Sequence, residues 1–296
     1  MSSQPDALFA EEATKMNTAS EAEHIVLWPD QAPTGDGKFE KSDASIAVYH
    51  PANPNGTAMI ICPGGGYATQ VMGAEGTGIA KWLGEHGITG VVLKYRLPKH
   101  RAYVPLLDVQ QAIRLTRGHA QEWKLNAQRI GVIGFSAGGH LASSAGVHYA
   151  FAPGDTAGKG DKRKGLDARP DFMILIYPVI GMGGKLNHQG SRNNLLGPDA
   201  SDELAGFFSN QDQVTSETPP AFMAHAVDDK VVSSEHSKAF TDALQAKGVK
   251  AKYLELPNGG HGLSGYKGPS WEAWKSGSLE WLSELGFLPT APAPKP

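Results

Sequence analysis

Short apolar runs alternate with stretches of helical periodicity along most of the chain, and this alternation constrains the fold more than any other feature. The run 130–135 is apolar throughout and of strand length, and the preceding stretch 106–117 carries apolar residues at helical spacing. Strands that recur with helices between them form a mostly parallel sheet, because a parallel connection needs a crossover long enough to hold a helix. The sequence therefore predicts an α/β fold whose sheet is covered by helices on both faces.

The predicted elements can be placed along the chain. Strands over 45–50 and 57–62 flank an Asn55-Gly56 turn and are interpreted as a hairpin, since Asn-Gly favours the tight turns that join paired strands. Further strands are predicted over 91–95, 130–135, 172–177, 221–226 and 252–256. Helices are predicted over 75–86, 106–117, 137–147, 201–208, 234–247 and 271–285. The Gly/Lys/Asp-rich stretch 153–169 is interpreted as a solvated excursion.

The length of 296 residues is within the range of one large α/β domain. The polar ends over 1–24 and 289–296 are expected to be flexible, which leaves a single domain over 25–288. The 27 basic and 30 acidic residues nearly balance, so no nucleic-acid surface is expected. No apolar run reaches membrane-spanning length, so no membrane partner is expected, and the oligomeric state is left open.

The N-terminal segment lacks the charged and apolar regions of a signal peptide, which favours a cytoplasmic protein. A secreted or periplasmic protein whose leader has been removed is the alternative. Cys62 is the only cysteine, which excludes an intrachain disulfide and a cysteine-based zinc site. The histidines show no metal-binding spacing. We therefore expect no catalytic metal and no cofactor.

The sequence Gly134-Phe135-Ser136-Ala137-Gly138 joins a predicted strand to a predicted helix. A serine in such a Gly-x-Ser-x-Gly turn is exposed on a strained backbone, and the glycines leave room for the adjoining strand and helix. This arrangement is typical of a nucleophile that an adjacent histidine activates. We predict Ser136 as the nucleophile.

The order of the acid and the base along the chain supports this prediction, because both follow the serine on loops after later strands. The loop after strand 221–226 holds Asp228 and Asp229, and the loop after strand 252–256 holds His261 between glycines. His261 is the predicted base. Asp228 is preferred as the acid that orients the imidazole, and Asp229 is kept as the alternative.

A glycine-rich loop, Pro63-Gly64-Gly65-Gly66-Tyr67, follows the predicted strand 57–62. Backbone N–H groups at this position can stabilise the oxyanion that forms when a serine attacks an acyl carbonyl. Gly65 and Gly66 are the predicted donors, together with the amide of Ala137. A phosphate-binding loop is the rival interpretation, but neither common phosphate-loop glycine pattern accompanies it.

With these motifs the chain resembles one branch of the α/β-hydrolase superfamily, the carbohydrate esterases similar to acetylxylan esterases and to xylanase-associated esterases or lipases. The resemblance covers the chain from about Leu27 to Leu288 and implies a sheet of about eight strands, with Ser136, Asp228 and His261 as nucleophile, acid and base. It rests on the two glycine motifs, the elbow continuing as Gly139-His140-Leu141-Ala142, and on Lys94-Tyr95-Arg96-Leu97, Arg169-Pro170-Asp171 and Thr218-Pro219-Pro220. The chain departs from the family pattern at Ser233, usually proline, and at Gly262-Leu263-Ser264, usually a Gly-Phe-Gly-like run.

Side chains near the motifs are candidates for substrate contact. Tyr67 and Leu263, adjacent to the glycine loop and the histidine, are expected to wall the acyl side of the site. Tyr67, Trp271 and Trp274 are candidates for stacking on a sugar ring, with packing in the core as the alternative. Arg96 and Asp108 are expected to form a buried ion pair at the end of the sheet.

The predicted function is a serine carboxylesterase that deacetylates xylan-type carbohydrate or small acetyl esters through an acyl-enzyme. The predicted partner is therefore a small ester or an acetylated carbohydrate. The alternatives are a feruloyl or aryl esterase, a peptidase of the prolyl-oligopeptidase type, and a non-catalytic binding protein on the same fold. The intact set of serine, acid and histidine argues against the last of these.

Overall fold

The computed structural model describes residues 22–152 and 165–288. The predicted flexible tail over 289–296, nearly all of the predicted flexible segment 1–24 and most of the excursion 153–169 lie outside the described residues. Within the two described ranges, no helix combines the length and the apolar character needed to cross a membrane.

The strands and helices follow the predicted alternation, with boundaries that differ by a few residues. The strands are β1 (Glu23–Val26), β2 (Ala32–Pro33), β3 (Phe39–Glu40), β4 (Ser45–Tyr49), β5 (Ala58–Cys62), β6 (Thr89–Lys94), β7 (Ile130–Phe135), β8 (Met173–Ile176), β9 (Ala221–Ala226) and β10 (Ala251–Leu256). The helices are α1 (Gly78–Glu85), α2 (Tyr103–Gly118), α3 (Ala137–Val147), α4 (Gln189–Leu196), α5 (Asp202–Phe207), α6 (Glu235–Ala246), the single turn α7 (Leu263–Tyr266) and α8 (Gly268–Glu284). A π-helical turn over Gly73–Thr77 leads into α1.

In the described part of the chain, eight strands form one sheet in the order β1-β4-β6-β5-β7-β8-β9-β10. Pairing is antiparallel from β1 through β4 to β6 and parallel from β6 to β10, which confirms the predicted mostly parallel sheet. The carboxyl ends of β5, β7, β9 and β10 therefore meet at one edge. This edge receives the glycine loop, the elbow, the aspartates and the histidine.

The predicted hairpin between the strands now labelled β4 and β5 is wrong. β6 lies between them in the sheet, paired antiparallel with β4 and parallel with β5. The Asn55 side chain instead donates to the carbonyl of His86, and its carbonyl oxygen accepts from the amide of Thr57. The Asn55-Gly56 turn thus directs the chain into β5 beside the end of α1 instead of returning it along β4.

Two hydrophobic layers enclose the sheet, as predicted. Along β5, Ile60 packs into the layer beneath α2, α3 and α6, whereas Met59 and Ile61 pack into the layer beneath α1 and α8. The same period-two division separates Val132 from Ile133 in β7. Since the central strands are buried on both faces, their positions are rigidly defined at the edge where the candidate site lies.

The predicted ion pair of Arg96 with Asp108 is confirmed at the end of β6. Arg96 Nη2 lies 2.7 Å from Asp108 Oδ1, and both side chains are buried. The indole of Trp28 and the backbone amide of Arg96 also donate to this carboxylate, at 2.7 and 2.8 Å. The pair therefore joins α2 to the sheet end and to the N-terminal strand region.

Candidate active site

The elbow around Ser136 has the strained geometry predicted from its glycines. Ser136 has a φ of 53°, at the junction of β7 and α3. A Cβ on Gly134 would lie 2.1 Å from the carbonyl oxygen of Gly138, and a Cβ on Gly138 would lie 2.1 Å from that of Cys62. Only glycine fits at either position, and the close packing of strand on helix holds Ser136 in place.

His261 lies against Ser136, the predicted nucleophile. Its Nε2 is 2.9 Å from Ser136 Oγ, although the two residues are 125 positions apart in sequence. The loop after β10 carries the histidine to this position, and the ring of Tyr177 lies beside it with centroids 4.9 Å apart. The predicted pairing of serine and histidine is therefore present in the structure.

The prediction that Asp228 faces the imidazole is wrong, and its alternative is correct. Asp229 Oδ2 lies 2.7 Å from His261 Nδ1. Asp228 is exposed and accepts hydrogen bonds from the amides of Gly259 and Gly260, at 3.3 and 2.8 Å. The physical reason is a turn in which the amide of Asp229 donates to Ala226, which directs the second aspartate inward and leaves the first to hold the histidine loop.

Asp229 is held in its ionised form. Burial alone raises the pKa of this carboxyl, but hydrogen bonds from His225, His261 and the amide of Val232 outweigh it and hold the pKa well below its usual range. The amides of Val231 and Val232 donate to Oδ1 at 2.8 and 3.0 Å. With an ionised acceptor at Nδ1, the imidazole carries its proton there and Nε2 accepts from the serine hydroxyl.

The glycine loop lies directly beside Ser136. A Cβ on Gly64 would lie 3.1 Å from Ser136 Cβ. The hydroxyl of Tyr95 donates to the carbonyl of Pro63 at 2.9 Å, and Asn194 Nδ2 donates to the carbonyl of Gly66 at 2.8 Å. The carbonyl of Gly65 accepts from the amides of the next turn. Hydrogen bonds to these three carbonyls therefore hold the backbone of the loop in place.

The three predicted oxyanion donors have N–H groups that are not used elsewhere. Among the described residues, the amides of Gly65, Gly66 and Ala137 donate to no other residue. Ala137 is the first residue of α3, so its N–H has no partner within the helix and lies at the positive end of the helix dipole. In a trans peptide the N–H points opposite to the carbonyl, so the N–H of Gly66 points away from the turn bonded to Gly65.

The expectation that Tyr67 and Leu263 wall the acyl side is wrong. Tyr67 is 2% exposed, and its hydroxyl donates to His140 Nδ1 at 2.8 Å beneath the loop. Burial lowers the pKa of His140 to about 4, so the ring stays neutral and its other nitrogen donates to the carbonyl of Phe208. Leu263 is 0% exposed and packs in the layer under α8. Neither side chain presents surface to a substrate.

Trp271 and Trp274 also belong to the core, so the sugar-stacking hypothesis is wrong and the packing alternative is correct. Their rings lie 5.1 Å apart, and the Trp274 ring lies 5.8 Å from that of Phe135 at the end of β7. Trp274 is 0% exposed. Aromatic residues on α8 therefore cover the strand that leads to Ser136.

One buried carboxylate beside the site was not found from the sequence. Glu75 lies on the π-helical turn before α1 and is 3% exposed. Its Oε2 accepts from the amide of Gly64 at 2.7 Å, and its Oε1 accepts from the hydroxyls of Tyr177 and Tyr266 at 3.0 and 3.2 Å. No motif signals this residue, because its partners come from three distant segments.

Cys62, the single cysteine of the sequence, is buried. Burial raises the pKa of the Cys62 thiol far above its usual value, which leaves it unreactive. In the parts of the chain that the structure describes, no three metal-ligating side chains lie together as a metal site would need.

A polar cleft of about 540 Å³ opens beside the glycine loop. Thr69 and Gln70, which pack on Gly65, form one wall, and Lys99 and Arg101 form another. Lys99 has a φ of 47° in the loop that follows β6. The cleft therefore adjoins the segment that follows the glycine loop, and its lining does not include Ser136, Asp229 or His261.

The profile of the BD-FAE family matches residues 46–244, well over half of the chain. The chain belongs to the BD-FAE family. The matched region includes the glycine loop, the elbow and Asp229, and His261 lies beyond it.

Curated relatives of this BD-FAE chain act in ester and xylan chemistry by name. It is 34% identical to an acetylxylan esterase of Xylanibacter ruminicola over 88% of its own length and 50% of the relative's. It is 32% identical to an endo-1,4-beta-xylanase B of Butyrivibrio fibrisolvens over 85% of its own length and 39% of the relative's. The chain thus spans half or less of the length of these two relatives.

Solved structures share the fold at nearly full length. An acetyl ester-xyloside bifunctional hydrolase from Caldicellulosiruptor lactoaceticus superposes with a TM-score of 0.82 at 33% identity, covering 92% of this chain and 99% of that one. A carboxylesterase from Lactobacillus plantarum superposes with a TM-score of 0.72 at 25% identity, covering 92% and 100%. The eight-stranded sheet is therefore that of α/β-hydrolase esterases.

Proposed function

We propose that this protein is a serine carboxylesterase that removes acetyl groups from xylan-type carbohydrate. The observation that carries the proposal is the continuous hydrogen-bonded series from Ser136 Oγ to His261 Nε2, at 2.9 Å, and from His261 Nδ1 to Asp229 Oδ2, at 2.7 Å. These are the contacts that a histidine base needs to activate a serine and to keep the correct tautomer.

The reaction proceeds in two stages. His261 Nε2 takes the proton of Ser136 as the serine oxygen attacks the ester carbonyl, and the amides of Gly65, Gly66 and Ala137 stabilise the oxyanion. The imidazolium, stabilised by Asp229, then protonates the departing sugar hydroxyl, which leaves an acetyl-serine. Water then attacks this ester as it gives a proton to the same nitrogen, and acetic acid leaves as the serine oxygen regains that proton from the imidazolium.

The sugar side of the substrate fits the polar cleft beside the glycine loop. The loop after β6 carries Lys99, and β6 lies two strand spacings from β7 in the sheet, or about 10 Å at the usual spacing. A short oligosaccharide whose acetyl group lies at Ser136 can therefore reach the cleft. The names of the relatives in xylan chemistry support the same substrate class.

Hydrolysis of a matched substrate panel tests the proposal. Acetate release from acetylated xylo-oligosaccharides should exceed ferulate release from feruloylated ones, and p-nitrophenyl acetate should be a better substrate than the butyrate or octanoate ester. Ser136→Ala serves as the control and should release no acetate above background. Preference for feruloyl esters would replace the substrate class, and activity in Ser136→Ala would remove the mechanism.

A further inference from the structure

A single buried carboxylate joins three segments of the site. Glu75 accepts from the glycine loop through Gly64, from the end of β8 through Tyr177 and from the turn α7 through Tyr266. None of these segments is adjacent in sequence to Glu75 or to the others. The catalytic acid Asp229 makes none of these three contacts, so Glu75 has its own set of partners.

Each partner of Glu75 belongs to a segment that borders Ser136 or His261 or directly follows one of them. Gly64 abuts Ser136 and precedes the predicted oxyanion donors. The Tyr177 ring lies 4.9 Å from the His261 ring, and its hydroxyl holds Glu75. Tyr266 ends the turn that follows His261. Glu75 is therefore the common contact of the oxyanion loop and the two segments that flank the histidine.

The turn after His261 needs such a contact, because its backbone is unfavourable. Residues 262–266 all have positive φ, and three of them, Leu263, Ser264 and Tyr266, are not glycine. L-residues in this left-handed region are destabilised and persist only where surrounding contacts hold them. The Tyr266 hydroxyl bond to Glu75 and the buried Leu263 side chain supply those contacts.

The protonation of the cluster favours a negatively charged Glu75. An amide N–H can only donate, and burial, together with Glu75 itself, raises the pKa of Tyr266 to about 12 and that of Tyr177 well above its usual value, so both phenols keep their protons. Burial raises the pKa of Glu75 above its usual value, and the bonds from Gly64 and the two tyrosines and the charge of His261 reduce this rise without cancelling it. The ionised carboxylate accepts all three bonds and has no proton of its own that needs an acceptor in this buried cluster.

We propose that Glu75 is a positioning residue of the esterase, which fixes the oxyanion loop relative to His261 and supports the imidazolium through its negative charge. The inference rests on the proposed function. Glu75 touches neither substrate nor the reacting atoms, and it acts through Gly64, Tyr177 and Tyr266. The titratable groups around His261 and Glu75 are Asp229, His188, His225, Tyr95, Tyr177 and Tyr266.

The two parts of this role can be separated by Glu75→Gln and Glu75→Ala. The glutamine carbonyl can accept from Gly64 and its NH₂ can donate to the tyrosine oxygens, so this variant keeps the bonds and loses the charge. We expect kcat for p-nitrophenyl acetate to fall about tenfold with little change in KM, and the acid limb of the kcat/KM profile to move about half to one pH unit lower. Alanine loses the bonds as well, and kcat should fall on the order of 10²-fold or more.

Controls distinguish this role from general damage. Tyr266→Phe removes one bond without a charge, so it should lower kcat and leave the acid limb in place. Glu85→Gln removes an exposed carboxylate at the end of α1 and should change neither. Active sites are counted with a fluorophosphonate, so that losses of folded enzyme are not mistaken for slower turnover.

The outcomes are distinct. An unchanged acid limb and unchanged kcat in Glu75→Gln, with all sites active, overturns the proposal, as does a Tyr266→Phe variant that shifts the limb as far as Glu75→Gln. If Glu75→Ala does not fold, these two variants still decide. Failure of the proposed function is recognised separately, since the unmodified protein would then show no hydrolysis of p-nitrophenyl acetate that depends on Ser136.

Discussion

The nucleophile elbow and the histidine loop hold the two halves of the site by different means. At the elbow, backbone packs on backbone, since the Cβ that Gly134 lacks would lie 2.1 Å from a carbonyl oxygen of α3. The histidine loop is held by side chains of another loop, with Asp228 bound to the amides of Gly259 and Gly260 and Asp229 bound to His261. The serine position is thus a property of the local fold, whereas the histidine position depends on carboxylates about thirty residues away in sequence. Substitutions at the elbow should therefore destabilise the fold, whereas substitutions at the histidine loop should displace His261 from Ser136.

The largest effect is expected from substitutions that remove the contact between the two regions, the hydrogen bond of Ser136 with His261. Ser136→Ala and His261→Ala should each lower kcat by on the order of 10⁵ to 10⁶, because nucleophile and base act as one unit. The double variant should be little slower than either single one. Steady-state kinetics with p-nitrophenyl acetate measures all three, and strictly multiplicative losses would contradict the pairing.

The next largest effect should distinguish the roles of the two aspartates in the loop after β9. Asp229→Asn should lower kcat by roughly 10³ to 10⁴, because the amide no longer fixes the tautomer that leaves Nε2 free to accept. Asp228→Asn keeps a carbonyl oxygen for the glycine amides and should lower kcat far less. A reversed ranking in a side-by-side kinetic comparison would return the acid role to Asp228.

Substitution within the elbow should change the stability of the protein. Gly134→Ala places a methyl group against the backbone of α3 and should lower the free energy of unfolding by about 3 kcal/mol or more. Gly84→Ala is the matched control, since a Cβ on Gly84 in α1 would meet nothing within 4 Å. That change should stabilise by about 0.5–1 kcal/mol through helix propensity. Urea denaturation measures both, and equal effects would disprove steric control of the elbow.

This division also explains how much could be predicted from the sequence. β7 and α3 have the predicted boundaries, and Ser136 and His261 have the predicted contact, because glycine spacing and strand order are local or topological signals. The choice between Asp228 and Asp229 depends on one turn and on the position of a distant histidine, and neither leaves a periodic pattern. The aromatic candidates failed for a related reason, since adjacency to a motif does not tell whether a side chain points into the site or into the core.

Glu75 adds a pH-dependent effect on stability. Its pKa is raised in the folded protein, so the folded state binds more protons than the unfolded state above the ordinary glutamate value. The contribution of this group to stability is therefore lost as pH rises through that window. Glu75→Gln cannot titrate at this position and does not lose this stability. The difference in melting temperature, variant minus unmodified protein, should therefore increase from pH 4 to pH 8. A constant difference across this range, measured by calorimetry, would contradict the raised pKa.

The smallest expected effect concerns the cleft beside the glycine loop and tests whether the cleft binds the sugar. Lys99 lines the cleft, while Lys124 is also an exposed lysine with positive φ but lines a different depression, so the two form a matched pair. Lys99→Ala removes a donor that can reach sugar hydroxyls, each such bond contributing about 0.5–1.5 kcal/mol. KM for acetylated xylo-oligosaccharides should therefore rise about two- to tenfold, whereas kinetics with p-nitrophenyl acetate, which has no sugar, should not change. Lys124→Ala should leave both substrates unaffected. An equal loss on both substrates would mean that Lys99 supports the loop and not the carbohydrate, and the cleft would then have no part in substrate choice.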